Sequence, residues 1–198
     1  MKKTTSGFTI VELLIVIVVI GILAAITIVA YSGVQARAEA SKTTSAISAY
    51  KKALQLYKID NGTYPIPGAM CLGDQYPFFS GGTVSACRYS TSPINDQANA
   101  VGRDTLKPYL GGSLPMPSTK FVSTGGTEFV GGHFYGSGYN YTLDGQPIVT
   151  IEYYINGTTC PVGPVYSATP PTFTSPAVDR SASLGSDASR CFLLLPDN

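Results

Sequence analysis

The apolar residues of this 198-residue chain are concentrated in one run near its N-terminus. From Leu13 to Ala30 the only polar residue is Thr27. At 1.5 Å per residue a helix of this length spans about 27 Å, close to the hydrocarbon thickness of a bilayer. Secretory signals have a shorter apolar core, so the pattern predicts a membrane-spanning helix. Lys2 and Lys3 precede the run, which predicts a cytoplasmic N-terminus and a single pass through the membrane.

After Tyr31 the pattern becomes amphipathic but keeps the helical period. Apolar or small residues recur at spacings of three and four, with charged residues between them, so one face needs a covering domain. The sequence Asp60-Asn61-Gly62 supplies a C-terminal stop. We predict one helix from about Phe8 to Lys58, with a membrane or assembly half over 8–30 and an amphipathic half within 31–62. The stripe consists of Ala36, Ala40, Thr43, Ile47, Tyr50, Leu54 and Tyr57.

Residues 63–198 are predicted to form an extracellular, globular, β-rich domain. The whole chain is only 13% charged, with 21 Gly, 14 Pro and 13 Tyr, and its net charge is +1. This near-neutral balance argues against a nucleic-acid footprint spread over the whole domain but leaves a local basic strip open, so the sequence does not decide whether nucleic acid is a partner. We expect a disulfide-tied surface loop over 66–95, a short helix over 96–110 and a Pro/Ser/Thr loop over 165–178. A closing strand is expected over 191–196.

The best sheet signal lies between residues 139 and 155. Tyr139 to Leu143 and Ile148 to Ile155 are rich in β-formers, and Asp144-Gly145 is a good turn between them. The pattern therefore predicts a hairpin, with Pro147 at an edge or a strand start. We interpret the tyrosines of this region as sheet and core residues rather than a binding platform. They are Tyr135, Tyr139, Tyr141, Tyr153 and Tyr154.

The chain has four cysteines, none in a C-x-x-C pair, which favours disulfides over a metal site. Three pairings are possible. We favour Cys71–Cys87 and Cys160–Cys191 because each closes a local loop without crossing the other. Disulfides indicate an oxidising compartment. With His133 as the sole histidine, the sequence supports no catalytic triad. We predict no metal, no cofactor and no enzyme activity.

Glu12 is a carboxylate beside the apolar run and has two interpretations. It is either a tolerated charge at the membrane interface or a residue whose partner charge lies on another copy of the chain. A cut between Gly7 and Phe8 would create an amino terminus four residues before Glu12. That cation could pair with the Glu12 of a neighbouring copy when the apolar helices pack together.

The stretch "KTTSG-FTIVELLIVIVVIGILAAI" resembles the class III signal of type IV pilins and type II secretion pseudopilins. Gly7, Phe8 and Glu12 match its motif one for one. The resemblance implies that a membrane prepilin peptidase removes residues 1–7 as a leader and N-methylates Phe8. It implies that Glu12 docks each incoming subunit. It also implies an α+β, pilin-like fold, in which the long helix packs on a C-terminal antiparallel sheet with disulfide-tied loops.

We therefore expect a structural subunit of a type IV pilus, supporting surface attachment, motility or DNA uptake. The alternatives are a pseudopilin of a type II secretion system and a membrane-tethered monomeric binding protein. The expected partners are further copies in a helical filament, the prepilin peptidase, an assembly platform with its motor, and minor pilins. The subunit would stay in the membrane before assembly and lie on the cell surface afterwards.

Overall fold

The computed structural model of the chain describes residues 7–76, 85–89, 94–95, 100–118, 121–124, 127–138, 142–143, 146–156 and 188–195. Internal contacts divide the chain into two compact units, one ending at Arg37 and the other beginning at Ala38. All described strands belong to the second unit. One long helix and several antiparallel sheets confirm the predicted α+β class.

Helix α1 covers Ile10–Asn61, which confirms the helix predicted from about Phe8 to Lys58. Its end follows the predicted stop signal. Gly62 adopts a left-handed φ of 78° and donates its N–H to the carbonyl of Lys58 at 2.8 Å. The Asn61 side-chain amide donates to the carbonyl of Tyr57 at 2.9 Å. The first bond satisfies a carbonyl that the last helical turn leaves without a partner, and the second adds a side-chain donor one residue earlier.

The part of α1 that belongs to the second unit buries the predicted stripe. Ile47, Tyr50 and Leu54 have no exposed surface. Ala46 and Ala53 were not in the predicted stripe, but both are buried and widen it. Burying a large apolar side chain contributes roughly 1.5–3 kcal/mol, so packing rather than helix propensity holds this half in place.

Ten strands and two short helices follow α1 in the described residues. The strands are β1 (Ala69–Cys71), β2 (Ala86–Tyr89), β3 (Ile94–Asn95), β4 (Phe121–Thr124), β5 (Thr127–Val130), β6 (Gly132–Tyr135), β7 (Thr142–Leu143), β8 (Gln146–Pro147), β9 (Val149–Asn156) and β10 (Ala188–Leu195). Helix α2 covers Ala100–Asp104, and a 3-10 helix covers Lys107–Leu110. The central sheet has the order β1-β6-β9-β10, a second sheet has the order β3-β2-β5-β4, and β7 pairs with β8.

One face of the central sheet packs against α1. Met70, Phe134, Ile151 and Leu193 stand in one row across its four strands. All of them belong to the hydrophobic cluster that contains the buried stripe of α1. The long-range pairing of the sheet and the stripe of the helix are therefore fixed by the same apolar contacts.

The opposite face of the central sheet is covered by the second sheet. Cys71 and Tyr135 belong to a second hydrophobic cluster with Ala86 and Cys87 of β2, Ile94 of β3 and Val130 of β5. Both faces of the central sheet are thus buried, and Thr150 and Glu152 of β9 are buried together with its apolar residues.

Two predictions for this unit are wrong in part. Residues 66–95 were expected to be a surface loop, but β1, β2 and β3 lie there, and Cys71 and Cys87 are fully buried. The hairpin of Tyr139 to Leu143 with Ile148 to Ile155 is also wrong in its pairing. β9 instead pairs with β6 and β10, and the short strand β7 pairs with β8, which contains Pro147. A local pattern identifies a strand but not its neighbour.

Other predictions have mixed outcomes. The helix predicted over 96–110 is split into α2 and the 3-10 helix, and Gly111 and Gly112 follow it with left-handed φ angles of 72° and 89°. The closing strand over 191–196 is confirmed by β10. The loop over 165–178 lies outside the described residues, as do Tyr139 and Tyr141. The other three tyrosines are buried, as predicted: Tyr135, Tyr153 and Tyr154.

Candidate processing and assembly site

The bond between Gly7 and Phe8 lies outside helix α1, which begins at Ile10. Gly7 and Phe8 have no helical hydrogen-bonding pattern, and 82% of Phe8 is exposed. A peptidase needs an accessible, non-helical segment at the bond it cuts. The predicted cleavage point meets both conditions.

Glu12 lies in the first turn of α1 and forms a capping box with Thr9. The Glu12 Oε2 atom accepts the backbone N–H of Thr9 at 2.8 Å and its hydroxyl at 2.6 Å. In return, the Glu12 N–H donates to the Thr9 hydroxyl at 3.2 Å. This reciprocal pattern satisfies donors that the helix start leaves without partners. Thr9 was not among the predicted site residues, although the T-x-x-E signature of "TIVE" could have identified it.

The N-terminal unit exposes its apolar side chains on every side of the helix. Helix α1 is long and apolar enough to cross a membrane by length and composition, and the most apolar window has none of its residues buried. Exposures run from 47% at Val19 to 86% at Ile10. Lipid, or apolar helices of other copies, must therefore cover this surface.

A second group of polar side chains is buried in the central sheet, on the face away from α1. The register places His133 of β6 opposite Glu152 of β9. The Arg190 Nε atom of β10 donates to Glu152 Oε1 at 2.5 Å, and the Tyr154 hydroxyl donates to the same oxygen. His133 Nε2 lies 3.8 Å from Glu152 Oε2. We call these four residues the Glu152 cluster.

The charges of the Glu152 cluster follow from burial and from Arg190. Burial raises the pKa of Glu152, but the Arg190 guanidinium, His133 and two hydrogen bonds lower it to about 2. Burial lowers the pKa of His133 to about 4, although the Glu152 carboxylate opposes this shift. At neutral pH the cluster therefore holds a buried Glu152–Arg190 ion pair beside a neutral His133. The Glu152–Arg190 ion pair therefore links β10 to β9.

The cysteine predictions are answered for three of the four residues. Cys71 and Cys87 form a disulfide, with their Cα atoms 5.6 Å apart. Cys191 is also disulfide-bonded, on the side of the sheet that packs on α1. Its predicted partner, Cys160, lies outside the described residues. Within the part of the chain that the structure describes, no cluster of three or more His, Cys, Asp or Glu residues could hold a metal ion.

Comparison with protein families gives a match at the N-terminus. Residues 2–28 match the family described as "Prokaryotic N-terminal methylation motif". The match includes Gly7, Phe8 and Glu12, the three residues of the predicted processing signal. No solved structure matches the chain.

Curated relatives match about a third of the chain. The chain is 42% identical over 64 residues to the type II secretion system core protein G of Aeromonas hydrophila, covering 32% of the chain and 45% of that protein. It is 40% identical over 65 residues to the protein of the same name from Vibrio cholerae, covering 33% and 44%. The fimbrial protein EcpC of Eikenella corrodens is 41% identical over 69 residues, covering 35% and 45%.

These likenesses and the methylation motif support the type IV pilin and pseudopilin family for this chain. The chain spans less than half the length of these relatives. Two of these three relatives are named for type II secretion, and the third is named as a fimbrial protein.

Proposed function

We propose that the chain is a structural filament subunit of the pseudopilin kind, made as a precursor in the membrane and polymerised through α1. One observation carries this proposal. An exposed Gly7–Phe8 bond directly precedes an apolar helix that is uncovered on all sides and has Glu12 in its first turn. A permanent anchor needs the apolar helix but has no use for the cut or for the carboxylate.

The proposed pathway gives roles to Gly7, Phe8 and Glu12. A membrane peptidase cuts after Gly7 and methylates the new amino group of Phe8. The freed helix then leaves the lipid and packs against the helices of neighbouring copies. The Glu12 carboxylate of one copy pairs with the Phe8 ammonium of another. This pairing lowers the cost of keeping the two charges in an apolar environment. The role is structural rather than catalytic.

Localisation follows from the same helix. Before assembly the chain is a single-pass membrane protein, and Lys2 and Lys3 keep its N-terminus in the cytoplasm. After assembly the helices form the interior of a filament that carries the second unit outside the membrane. The further partners are the prepilin peptidase, an assembly platform with its motor, and minor subunits.

A second candidate is a subunit of a type IV pilus. The likeness to a fimbrial protein of Eikenella corrodens over 69 residues favours it. The abundance of the chain in filaments separates the two candidates. A major pilin would dominate material sheared from the cell surface, whereas a pseudopilin would be scarce there and would accumulate with a secretion apparatus. Attachment, motility and DNA uptake belong to the pilus candidate alone.

Intact-mass spectrometry of the purified chain tests the proposal. The expected mass is that of residues 8–198 plus one methyl group, with all cysteines oxidised. The control is Gly7→Val, which should leave the precursor uncut because a branched side chain then stands at the cleavage point. Full-length mass in the wild-type chain, with Phe8 unmodified, would contradict the proposal and favour a membrane-tethered monomer.

A further inference from the structure

The capping box of Thr9 and Glu12 lies entirely on the mature side of the proposed cut. The donors to Glu12 Oε2 are the N–H and the hydroxyl of Thr9, and neither atom is altered by cleavage between Gly7 and Phe8. The amide between Phe8 and Thr9 also survives. The mature chain therefore keeps the same hydrogen bonds, one residue after its new amino terminus.

The two oxygens of Glu12 have different surroundings. Oε2 accepts both Thr9 donors, whereas no donor among the described residues reaches Oε1. Thr9 thus occupies one oxygen and sets the direction in which the other points. A long glutamate side chain normally loses rotamer freedom when it pairs with a cation, and here much of that freedom is already lost in the unassembled subunit.

We propose that Thr9 is a positioning residue for filament assembly, which holds the Glu12 carboxylate ready for the ammonium group of Phe8 on a second copy of the chain. This inference rests on the proposed function. It adds Thr9 to the Gly7, Phe8 and Glu12 of the predicted processing signal. It also explains how the single subunit tolerates a carboxylate at the start of an apolar helix, since Thr9 replaces two hydrogen bonds that water would otherwise make.

The test compares three single variants in cells that contain the complete assembly machinery. Thr9→Val removes the hydroxyl but keeps the branched shape, and Thr9→Ser keeps the hydroxyl. The matched control is Thr27→Val, because the Thr27 hydroxyl lies in the same apolar helix but donates to the carbonyl of Ala24 at 2.9 Å, away from Glu12. The readout is the ratio of assembled to cleaved chain, with cleavage measured by intact mass.

We expect Thr9→Val to lower this ratio about five-fold or more, the size of a typical N-cap loss. Thr9→Ser and Thr27→Val should stay within about two-fold of wild type, because Thr9→Ser keeps the hydroxyl and Thr27→Val keeps the branched shape without changing any contact to Glu12. In a Glu12→Gln background, Thr9→Val should cause little further loss because both changes act on one interaction.

Equal assembly of Thr9→Val and wild type would overturn the inference, and so would failure of Thr9→Ser. An uncleaved Thr9→Val chain would overturn it too, because the hydroxyl would then serve recognition by the peptidase. These results are distinct from failure of the proposed function, in which the wild-type chain itself would be neither cleaved nor assembled.

Discussion

Removing the cation of the Glu152 cluster should destabilise the second unit more than any surface charge does. In the Arg190→Met variant the Glu152 carboxylate stays fully buried but loses its hydrogen-bonded partner at 2.5 Å. Breaking a buried ion pair on one side costs about 3–5 kcal/mol. The Arg190 side chain is 17% exposed, so we expect the lower end of this range, about 3 kcal/mol.

The assay is urea unfolding of the full chain in detergent, followed by tyrosine fluorescence, because the chain has 13 Tyr and no Trp. The double variant Arg190→Met with Glu152→Gln should regain part of the loss, since it leaves no buried charge. The matched control is Lys107→Met. Its partner Asp104 lies at 3.2 Å, but both side chains are more than 40% exposed, so the change should stay within about 0.5 kcal/mol. An Arg190→Met loss as small as that of Lys107→Met would refute this reasoning.

Two further predictions concern the same unit. The pKa of His133 is about 4 in the folded chain, whereas its ordinary value is 6.5. As the pH falls, the unfolded chain therefore binds a proton first, and about 3 kcal/mol of stability should be lost between pH 6.5 and 4. In His133→Gln this loss should be smaller, which unfolding curves measured at several pH values would check. An equal loss of stability in the two proteins as the pH falls would contradict the reasoning. Replacing Cys71 and Cys87 together by Ala should lower the free energy of unfolding by about 3 kcal/mol, because the bridge closes a loop of 16 residues. A change below about 1 kcal/mol in urea unfolding would contradict that estimate.

The helix and the centre of its buried stripe could be predicted from the sequence because each is a local pattern. The spacing from Ala40 to Leu54 determines one helix face, and Gly62 marks the end of the helix, whatever the rest of the chain does. Thr9 was equally local, and the four letters "TIVE" contain its signal. It was missed because Glu12 was considered only as a charge that needed an external partner.

The Glu152 cluster could not be found in this way. His133, Glu152 and Arg190 are far apart along the chain and meet only through the pairing of β6, β9 and β10. The prediction of a surface loop around Cys71 and Cys87 was wrong for a related reason. The glycines, prolines and serines of this segment are typical of a loop. Both cysteines nevertheless belong to the hydrophobic cluster between the central sheet and the second sheet, which makes them part of the core.

The central claim, that subunits polymerise through their N-terminal helices, is tested most directly by crosslinking in living cells. A photo-reactive amino acid at Ile17, whose side chain is 58% exposed, would report which protein covers the apolar helix. Polymerisation through α1 should give a ladder of crosslinked multiples of the cleaved chain, and this ladder should disappear when Glu12→Ala is added. A chain that stays monomeric, or a ladder that is unchanged in Glu12→Ala, would contradict it.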